Sequence, residues 1–125
     1  MAFKESRTLV ITGGRDHQNK HQYIDRVLDS WRAEYRIKAI VHGGAKGADF
    51  HAGKWARANA VQEVICPANW EAWGRRAGPA RNRSMLGLFG EGVQVLAFSG
   101  GRGTENCKAE ARRMLLPVAE YLGDI

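Results

Sequence analysis

Paired glycines follow three short apolar runs of this 125-residue chain, and their placement suits the binding of an anion. They lie in the segments TGGRD (residues 12–16), HGGAKGAD (42–49) and SGGRGT (99–104). Backbone N–H groups without neighbouring side chains can approach phosphate oxygens, and the start of a following helix adds partial positive charge. Any one of these loops could be only a tight turn, but the three together predict a shared phosphate site.

Charged side chains next to the glycines fit the same chemistry. Arg15, Arg81 and Arg102 carry planar guanidinium groups, which suit two-pronged contacts with phosphate. Carboxylates repel phosphate, so Asp16 and Asp49 suit either ribose hydroxyls or the capping of a helix. The sequence leaves these two roles open.

Other groupings of reactive side chains indicate less. Thr104 suits a helix cap or a phosphate contact. The glycine loops lack the Gly-Lys-Ser/Thr of a Walker loop, and no GxGxxG fingerprint of a dinucleotide site follows the first predicted strand. His17 and His21 are four residues apart without a third ligand, so we expect no metal site. Cys66 and Cys107 are too far apart in sequence for a metal or redox motif.

The elements that must position these loops alternate along the chain. Short apolar runs predict strands at residues 8–12, 39–42, 61–66 and 93–98, with a last strand near 117–119. Apolar residues at helical spacing predict helices between them, with the following buried stripes: Tyr23, Val27, Leu28, Trp31 and Tyr35; Ala48, Ala52, Trp55, Ala56 and Asn59; Cys107, Ala111, Met114 and Leu115. Pro79 should open a further helix, and residues 68–78, which include Trp70 and Trp73 and have no clear period, are predicted to be a loop or short turn. This order predicts a mostly parallel sheet covered on both faces.

Composition narrows the class of protein and of partner. Apolar residues make up 44% and charged residues 26%, which is typical of a globular domain. The net charge of +6 favours phosphorylated small molecules or nucleic acid as partners. The first residues lack the apolar run of a signal peptide, and no stretch approaches the ~18 apolar residues of a membrane span. We therefore expect a cytoplasmic protein with reduced thiols and no membrane partner.

Five segments, taken together, resemble the YspA-type, YpsA-related family of the SLOG superfamily. They are VITGGRD (10–16), VHGGAKGAD (41–49), PANW (67–70), AGPARNRSML (77–86) and AFSGGRGTENC (97–107), and they cover most of the chain in order. The superfamily has Rossmann-like folds. It includes Lonely Guy phosphoribohydrolases, DNA-processing protein A and sensors of nucleotide-derived signals.

The resemblance implies one Rossmann-like, three-layer α/β domain over residues 1–125, with a mostly parallel sheet of four or five strands and helices on both faces. It also implies a pocket for a nucleotide-derived ligand, formed by Gly43, Gly44, Gly47, Arg81, Asn82, Gly100, Gly101, Gly103 and Thr104. The loop chemistry adds Gly13, Gly14, Arg15, Asp16, Ala45, Asp49 and Arg102. A phosphorylated ligand is compatible with Mg²⁺, but no cofactor is identified and no acidic cluster predicts a metal site.

One position departs from the pattern of the Lonely Guy enzymes. Those enzymes carry a catalytic glutamate three residues after the threonine of their GGxGT motif, and this chain has Cys107 there. A thiol cannot replace a carboxylate that activates water or stabilises an oxocarbenium-like centre. Glu105 is then the remaining candidate for a catalytic acid or base.

Three functions therefore stay open at the level of sequence. The first is a sensor or binding protein for ADP-ribose, an NAD-like molecule or a nucleoside phosphate. The second is a hydrolase of nucleotide N-glycosidic bonds. The third is single-stranded nucleic acid binding of the DNA-processing protein A type, with Trp55, Trp70 and Trp73 as possible stacking surfaces. Trp55 also fits the buried stripe of its helix, and Trp70 and Trp73 suit loop anchors over the core or a cover over the ligand base. Members of the family commonly form dimers, so we also expect a homo-oligomer.

Overall fold

A five-stranded parallel sheet forms the middle layer of residues 4–16 and 21–122, the part of the chain that the computed structural model describes. Its strands are β1 (Ser6–Thr12), β2 (Arg36–His42), β3 (Gln62–Ile65), β4 (Val93–Phe98) and β5 (Val118–Tyr121). They lie in the order β3-β2-β1-β4-β5, and every neighbouring pair is parallel. The Rossmann-like α/β fold expected from the sequence is confirmed.

Five α-helices connect the strands of this described part. They are α1 (His21–Glu34), α2 (Ala48–Ala58), α3 (Trp70–Trp73), α4 (Ala77–Gly87) and α5 (Arg102–Arg113), with a 3₁₀ turn at Gly74–Arg76. The strand order reverses direction between β1 and β4, because the chain passes from β1 to β2 and β3 and then returns to the other side of β1. Loops that leave β1 and β4 diverge to opposite faces, and ligands of open α/β sheets bind in the crevice between them.

Alternating side chains of the central strands divide the core into two layers. Leu9 and Ile11 of β1 pack with the apolar sides of α1 and α2, whereas Val10 packs with α4 and α5. β4 is buried over its whole length, which explains why its bounds were predictable as a continuous apolar run. Trp55 is buried as expected, and its indole N–H donates to Asp29 at 2.8 Å.

The segment predicted as a loop at residues 68–78 is instead helical for most of its length. The Asn69 side chain accepts a hydrogen bond from the Ala72 N–H at 3.1 Å, which begins α3, and Gly74 ends it with φ 56°. Trp70 and Trp73 are 56% and 54% exposed, so neither is anchored in the core. Because α3 buries no side chain, it has no apolar stripe that sequence analysis could detect.

Two further boundaries differ from the prediction. Pro79 is the third residue of α4 rather than its first, a position where a missing N–H costs little because the first turn has no intrahelical acceptors. The prediction of Met114 and Leu115 on the buried side of α5 was wrong. The helix ends at Arg113, and Leu115 is 90% exposed with φ 61°.

Candidate ligand-binding site

A cavity of about 600 Å³ opens at the carboxyl ends of β1, β2 and β4. Its volume lies within the range of sites for small molecules and cofactors. The three glycine loops contribute Gly13, Gly14, Arg15, Gly43, Ala45, Gly101, Arg102, Gly103 and Thr104 to its walls. The remaining lining residues are Ile11, Thr12, Asp49, Trp70, Arg75, Gly78, Pro79, Arg81, Asn82, Met85 and Asn106.

The structure thus brings together most of the residues that the sequence singled out for the ligand. Four of them, Asp16, Gly44, Gly47 and Gly100, do not line the cavity. Gly47 and Gly100 lie directly behind it. A Cβ on Gly47 would be 2.3 Å from the Gly14 carbonyl oxygen, and one on Gly100 would be 2.2 Å from Thr104 Oγ1. Both glycines therefore allow neighbouring loops to pack closely.

The second glycine loop is held by its own side chains. The N–H groups of Gly43 and Ala45 donate to Asp49 Oδ2 at 3.1 and 3.2 Å. The Gly44 N–H donates to His42 Nδ1 at 2.9 Å, so His42 presents its Nε2–H to Glu63 Oε2 at 2.7 Å. These three N–H groups are already engaged and are not available to a phosphate, contrary to the expectation for this loop.

Asp49 has a structural role within this loop. Its carboxylate is buried in the first turn of α2 and holds the backbone of the loop above it. Burial raises the pKa of Asp49, against the hydrogen bonds from Ala45 and Gly43 and the charges of His42 and Arg81, which lower it. Asp49 is therefore not the cap of α2, whose N-cap residue is Gly47; it accepts N–H groups of the loop before that helix, and it still borders the cavity.

Arg81 crosses from α4 to the second loop. Its Nη1 donates to the carbonyl oxygens of Gly43 and Cys66 at 3.2 and 3.1 Å, and its Nε donates to Asn82 Oδ1 at 2.9 Å. A Cβ on Gly43 would lie 2.0 Å from Nη1, so the glycine makes room for the guanidinium group. The side chain thereby fixes a positive charge at the wall of the cavity.

Asn82 joins α4 to the start of α5. Its side chain is buried, and its Nδ2 donates to the Gly103 carbonyl oxygen at 3.3 Å and to Asn106 Oδ1 at 2.9 Å. Truncation of a buried amide with several partners leaves polar groups unsatisfied. Asn82 therefore positions the third glycine loop from behind.

The N-terminus of α5 is the part of the cavity with open backbone. The helix follows Gly101, which has no side chain to cap it, and Thr104 is buried inside the first turn instead of at the cap. A Cβ added to Gly101 or Gly103 would meet nothing within 4 Å. The N–H groups of a first helical turn lack intrahelical acceptors, so this turn can present them to an anion.

Positive side chains dominate the charge of the cavity. Arg15, Arg75, Arg81 and Arg102 line it, and Asp49 is the acidic residue among its described walls. Together with the partial positive charge at the start of α5, this arrangement attracts anions.

Cys107 lies on α5 below the cavity and is fully buried. Burial raises the pKa of its thiol to about 11, while a hydrogen bond with Thr12 and the charge of Arg81 act in the opposite direction. The residue at the position of the Lonely Guy glutamate is therefore a neutral thiol near pH 7.

The catalytic candidate Glu105 does not lie among the residues that line the cavity. Its side chain is 66% exposed and forms an ion pair with Lys108 at 2.7 Å. Lys108 also pairs with Glu120, so Glu105 belongs to a charge cluster on the outer side of α5.

Sequence reasoning missed several residues of the cavity wall. Arg75 and Asn106 are examples, together with Thr12 and Met85. Arg75 belongs to the segment read as a loop, and Asn106 is exposed to the cavity only because α5 begins at Arg102.

Among residues 4–16 and 21–122, no group of three or more His, Cys, Asp or Glu side chains is arranged to hold a metal ion. His17 lies outside these residues, so its pairing with His21 has no structural description. None of the described helices is both long and apolar enough to cross a membrane.

Comparison with known proteins shows the family of this chain. The profile of the YspA, cpYpsA-related SLOG family (YAcAr) matches residues 7–73, which include the first two glycine loops. The chain belongs to this family. The chain is also similar to the Gene 61 protein of Mycobacterium phage D29, with 36% identity over 124 residues. The alignment covers 92% of this chain and 96% of the phage protein. SLOG membership indicates nucleotide-related binding.

A solved structure shares the fold of this SLOG protein. The X-ray structure of DNA processing protein A (DprA) from Streptococcus pneumoniae superposes with a TM-score of 0.70 at 18% identity. The match covers 96% of this chain and 52% of the other, so the SLOG protein spans about half the length of DprA.

Proposed function

We propose that this SLOG protein binds a small phosphorylated nucleotide or nucleotide-derived ligand, with a phosphate at the start of α5. The observation that carries the proposal is the open first turn of that helix, Gly101 to Thr104, on the wall of a 600 Å³ cavity. Backbone N–H groups and the helix dipole act there in the same direction. The ligand class is ADP-ribose, an NAD-like molecule or a nucleoside phosphate.

The charges around the cavity support an anionic ligand. Arg102 and Arg15 are exposed at its rim, and Arg81 is fixed deeper by the carbonyl oxygens of Gly43 and Cys66. Mobile arginines at the rim can close on phosphate oxygens, whereas a fixed guanidinium group contributes charge without a further loss of side-chain entropy.

The arrangement supports binding rather than bond cleavage. Glu105 points away from the cavity into an ion pair, and Cys107 is a buried neutral thiol. Neither can act as an acid or base on a ligand in the cavity without rearrangement. We therefore propose a role as a sensor or binding protein.

The first experiment is a thermal-shift panel of AMP, ADP, ATP, NAD and ADP-ribose, with a short oligodeoxynucleotide and a check for reaction products. A binder present at 100 times its Kd adds about 2.7 kcal/mol to the free energy of unfolding. We expect stabilisation by at least one small nucleotide and no product. Stabilisation by the oligonucleotide alone would contradict the proposal.

A matched pair of glycine variants then locates the site. Gly103 and Gly87 are both exposed helical glycines with room for a side chain, since a Cβ meets nothing within 4 Å at Gly103 and only Met114 Cε at 3.8 Å at Gly87. Gly103→Val fills space in front of the first turn of α5, so we expect nucleotide affinity to fall at least tenfold by calorimetry. Gly87→Val should bind like the wild type, and equal affinity in both variants would overturn the site.

A second candidate function is single-stranded nucleic acid binding. Trp73 is 54% exposed and Arg76 is exposed beside it, and neither lines the nucleotide cavity. Exposed aromatic and basic side chains are the features that stack bases and follow a phosphate backbone. This candidate predicts oligonucleotide binding that weakens steeply with salt and is lost in Trp73→Ala/Arg76→Ala, while the affinity for AMP stays unchanged.

A further inference from the structure

The cavity has an apolar side as well as a phosphate side. The segment from α3 to α4 contributes the apolar side chains of Trp70, Pro79 and Met85 to its wall, whereas α5 contributes polar backbone N–H groups. A bare phosphate or a sugar phosphate offers nothing for such a surface to bind. The apolar side therefore indicates that the ligand carries an apolar or aromatic group in addition to its charge.

Trp70 is the largest side chain on this apolar side. It is 56% exposed, although a tryptophan normally buries most of its area in the core or in an interface. Asn69 caps the short helix that carries it, through the 3.1 Å hydrogen bond from the Ala72 N–H. The indole is thus held at the wall by local structure while more than half of its surface stays available.

The indole of Trp70 packs against Gly78 in the first turn of α4. A Cβ on Gly78 would lie 3.2 Å from Cη2 of Trp70 and 3.9 and 4.0 Å from Cζ3 and Cζ2. The edge of the benzene ring therefore lies over the first turn of α4, close to Pro79. A Cβ at position 78 would already be in tight contact with the indole, so the glycine lets the ring lie close to the helix.

We infer that Trp70 stacks against the aromatic base of the ligand, which makes the site selective for nucleotides over sugar phosphates. This inference rests on the proposed function, since the phosphate at α5 orients the rest of the ligand. Stacking tolerates any base, because every base has a π-face, and its removal weakens binding about 5- to 150-fold. The site then distinguishes a nucleotide from a sugar phosphate, but it does not distinguish one base from another.

Trp73 provides the matched control. It lies on the same short helix and is 54% exposed, but it borders a separate surface groove with Pro67 and Leu88 instead of the cavity. A change at Trp73 disturbs α3 about as much as a change at Trp70. Only the change at Trp70 removes a stacking surface from the cavity.

The test measures the affinity of AMP and of ribose 5-phosphate, which differ by the base, by calorimetry. In the wild type we expect AMP to bind about 5- to 150-fold more tightly. Trp70→Ala should abolish this preference by weakening AMP alone, Trp70→Phe should keep most of it, and Trp73→Ala should leave it unchanged. AMP should also quench tryptophan fluorescence in the wild type and in Trp73→Phe, but not in Trp70→Phe.

Each alternative outcome has a distinct meaning. Equal affinity of the wild type for AMP and ribose 5-phosphate overturns the stacking inference and leaves the phosphate site in place. An equal loss of AMP affinity in Trp70→Ala and Trp73→Ala overturns it as well, because a general disturbance of α3 then explains the effect. Absence of binding by AMP, by ribose 5-phosphate and by every other small nucleotide of the thermal-shift panel overturns the proposed function itself.

Discussion

At the scale of single residues, the buried groups around the cavity hold its shape. Asp49 and His42 engage the N–H groups of the second glycine loop, and Arg81 occupies the space that Gly43 leaves free. None of these contacts requires a ligand. The cavity wall is therefore formed in advance, and a ligand does not have to organise it at a cost in entropy.

Cys107 gives a prediction on pH at the same scale. Its pKa is raised from 9.0 to about 11, so the folded state keeps the thiol proton at pH values where the unfolded state has lost it. The folded state then binds more protons, and the free energy of unfolding falls as pH rises from about 9 towards 11. The complete loss in free energy of unfolding is about 2 to 3 kcal/mol, because one pKa unit corresponds to roughly 1.4 kcal/mol.

The measurement compares denaturant unfolding of the wild type and Cys107→Ala between pH 7 and pH 10.5. We expect the stability of the wild type relative to the variant to decrease over the alkaline part of this range. A difference between the two proteins that stays constant with pH would show that the thiol ionises as it does in the unfolded chain.

At the scale of elements, the first two glycine loops are packed on each other. The Ala48 N–H donates to the Gly14 carbonyl oxygen at 3.3 Å, and Gly47 has φ 78°. A Cβ on Gly47 would lie 2.3 Å from that oxygen, which belongs to the backbone and cannot move aside as a flexible side chain would. The start of α2 is thereby fixed against the loop after β1.

Gly47→Ala should consequently destabilise the protein. The backbone conformation alone, with φ 78° and ψ −123°, costs a residue with a side chain about 1–3 kcal/mol, and the clash with Gly14 adds to it. Gly101→Ala is the control, since Gly101 has φ −100° and open space; it loses only the preference for glycine at a helix N-cap, so its effect should be smaller than that of Gly47→Ala. Equal stabilities of the two variants in urea would contradict the packing of these loops.

The elements also show what sequence analysis could predict. Strands β1, β2 and β4 were evident because they are buried, apolar and followed by glycines. The helical segment at Trp70–Arg76 was not, because it is exposed and is defined by the Asn69 cap rather than by an apolar stripe.

Residue chemistry and the family resemblance together located the cavity but not the role of each loop. Twelve of the sixteen predicted contact residues line it. The sequence could not show that Asp49 and His42 accept the N–H groups of the second loop, because those hydrogen bonds depend on how the loop folds back on α2. It also could not show that α5 carries Glu105 away from the cavity.

At the scale of the whole molecule, the topology places the candidate site at one edge of the sheet. β1 and β4 are neighbours, and the cavity lies where their loops separate. The net charge of +6 adds long-range attraction for anions, and four arginines focus it at the cavity. Exposed Trp73 and Arg76 extend this basic surface beyond the cavity, which is the basis for the nucleic acid candidate.

The most direct test of the account is an amide ¹H–¹⁵N NMR titration with ADP-ribose. If a phosphate binds at the start of α5, the largest shifts should occur at the amides of Gly101, Arg102, Gly103 and Thr104. The amides of Gly43 to Ala45, which are already hydrogen-bonded within the protein, should move less. Saturation without any change at residues 101–104, or no saturable change with ADP-ribose or with any other small nucleotide of the thermal-shift panel, would contradict the central claim.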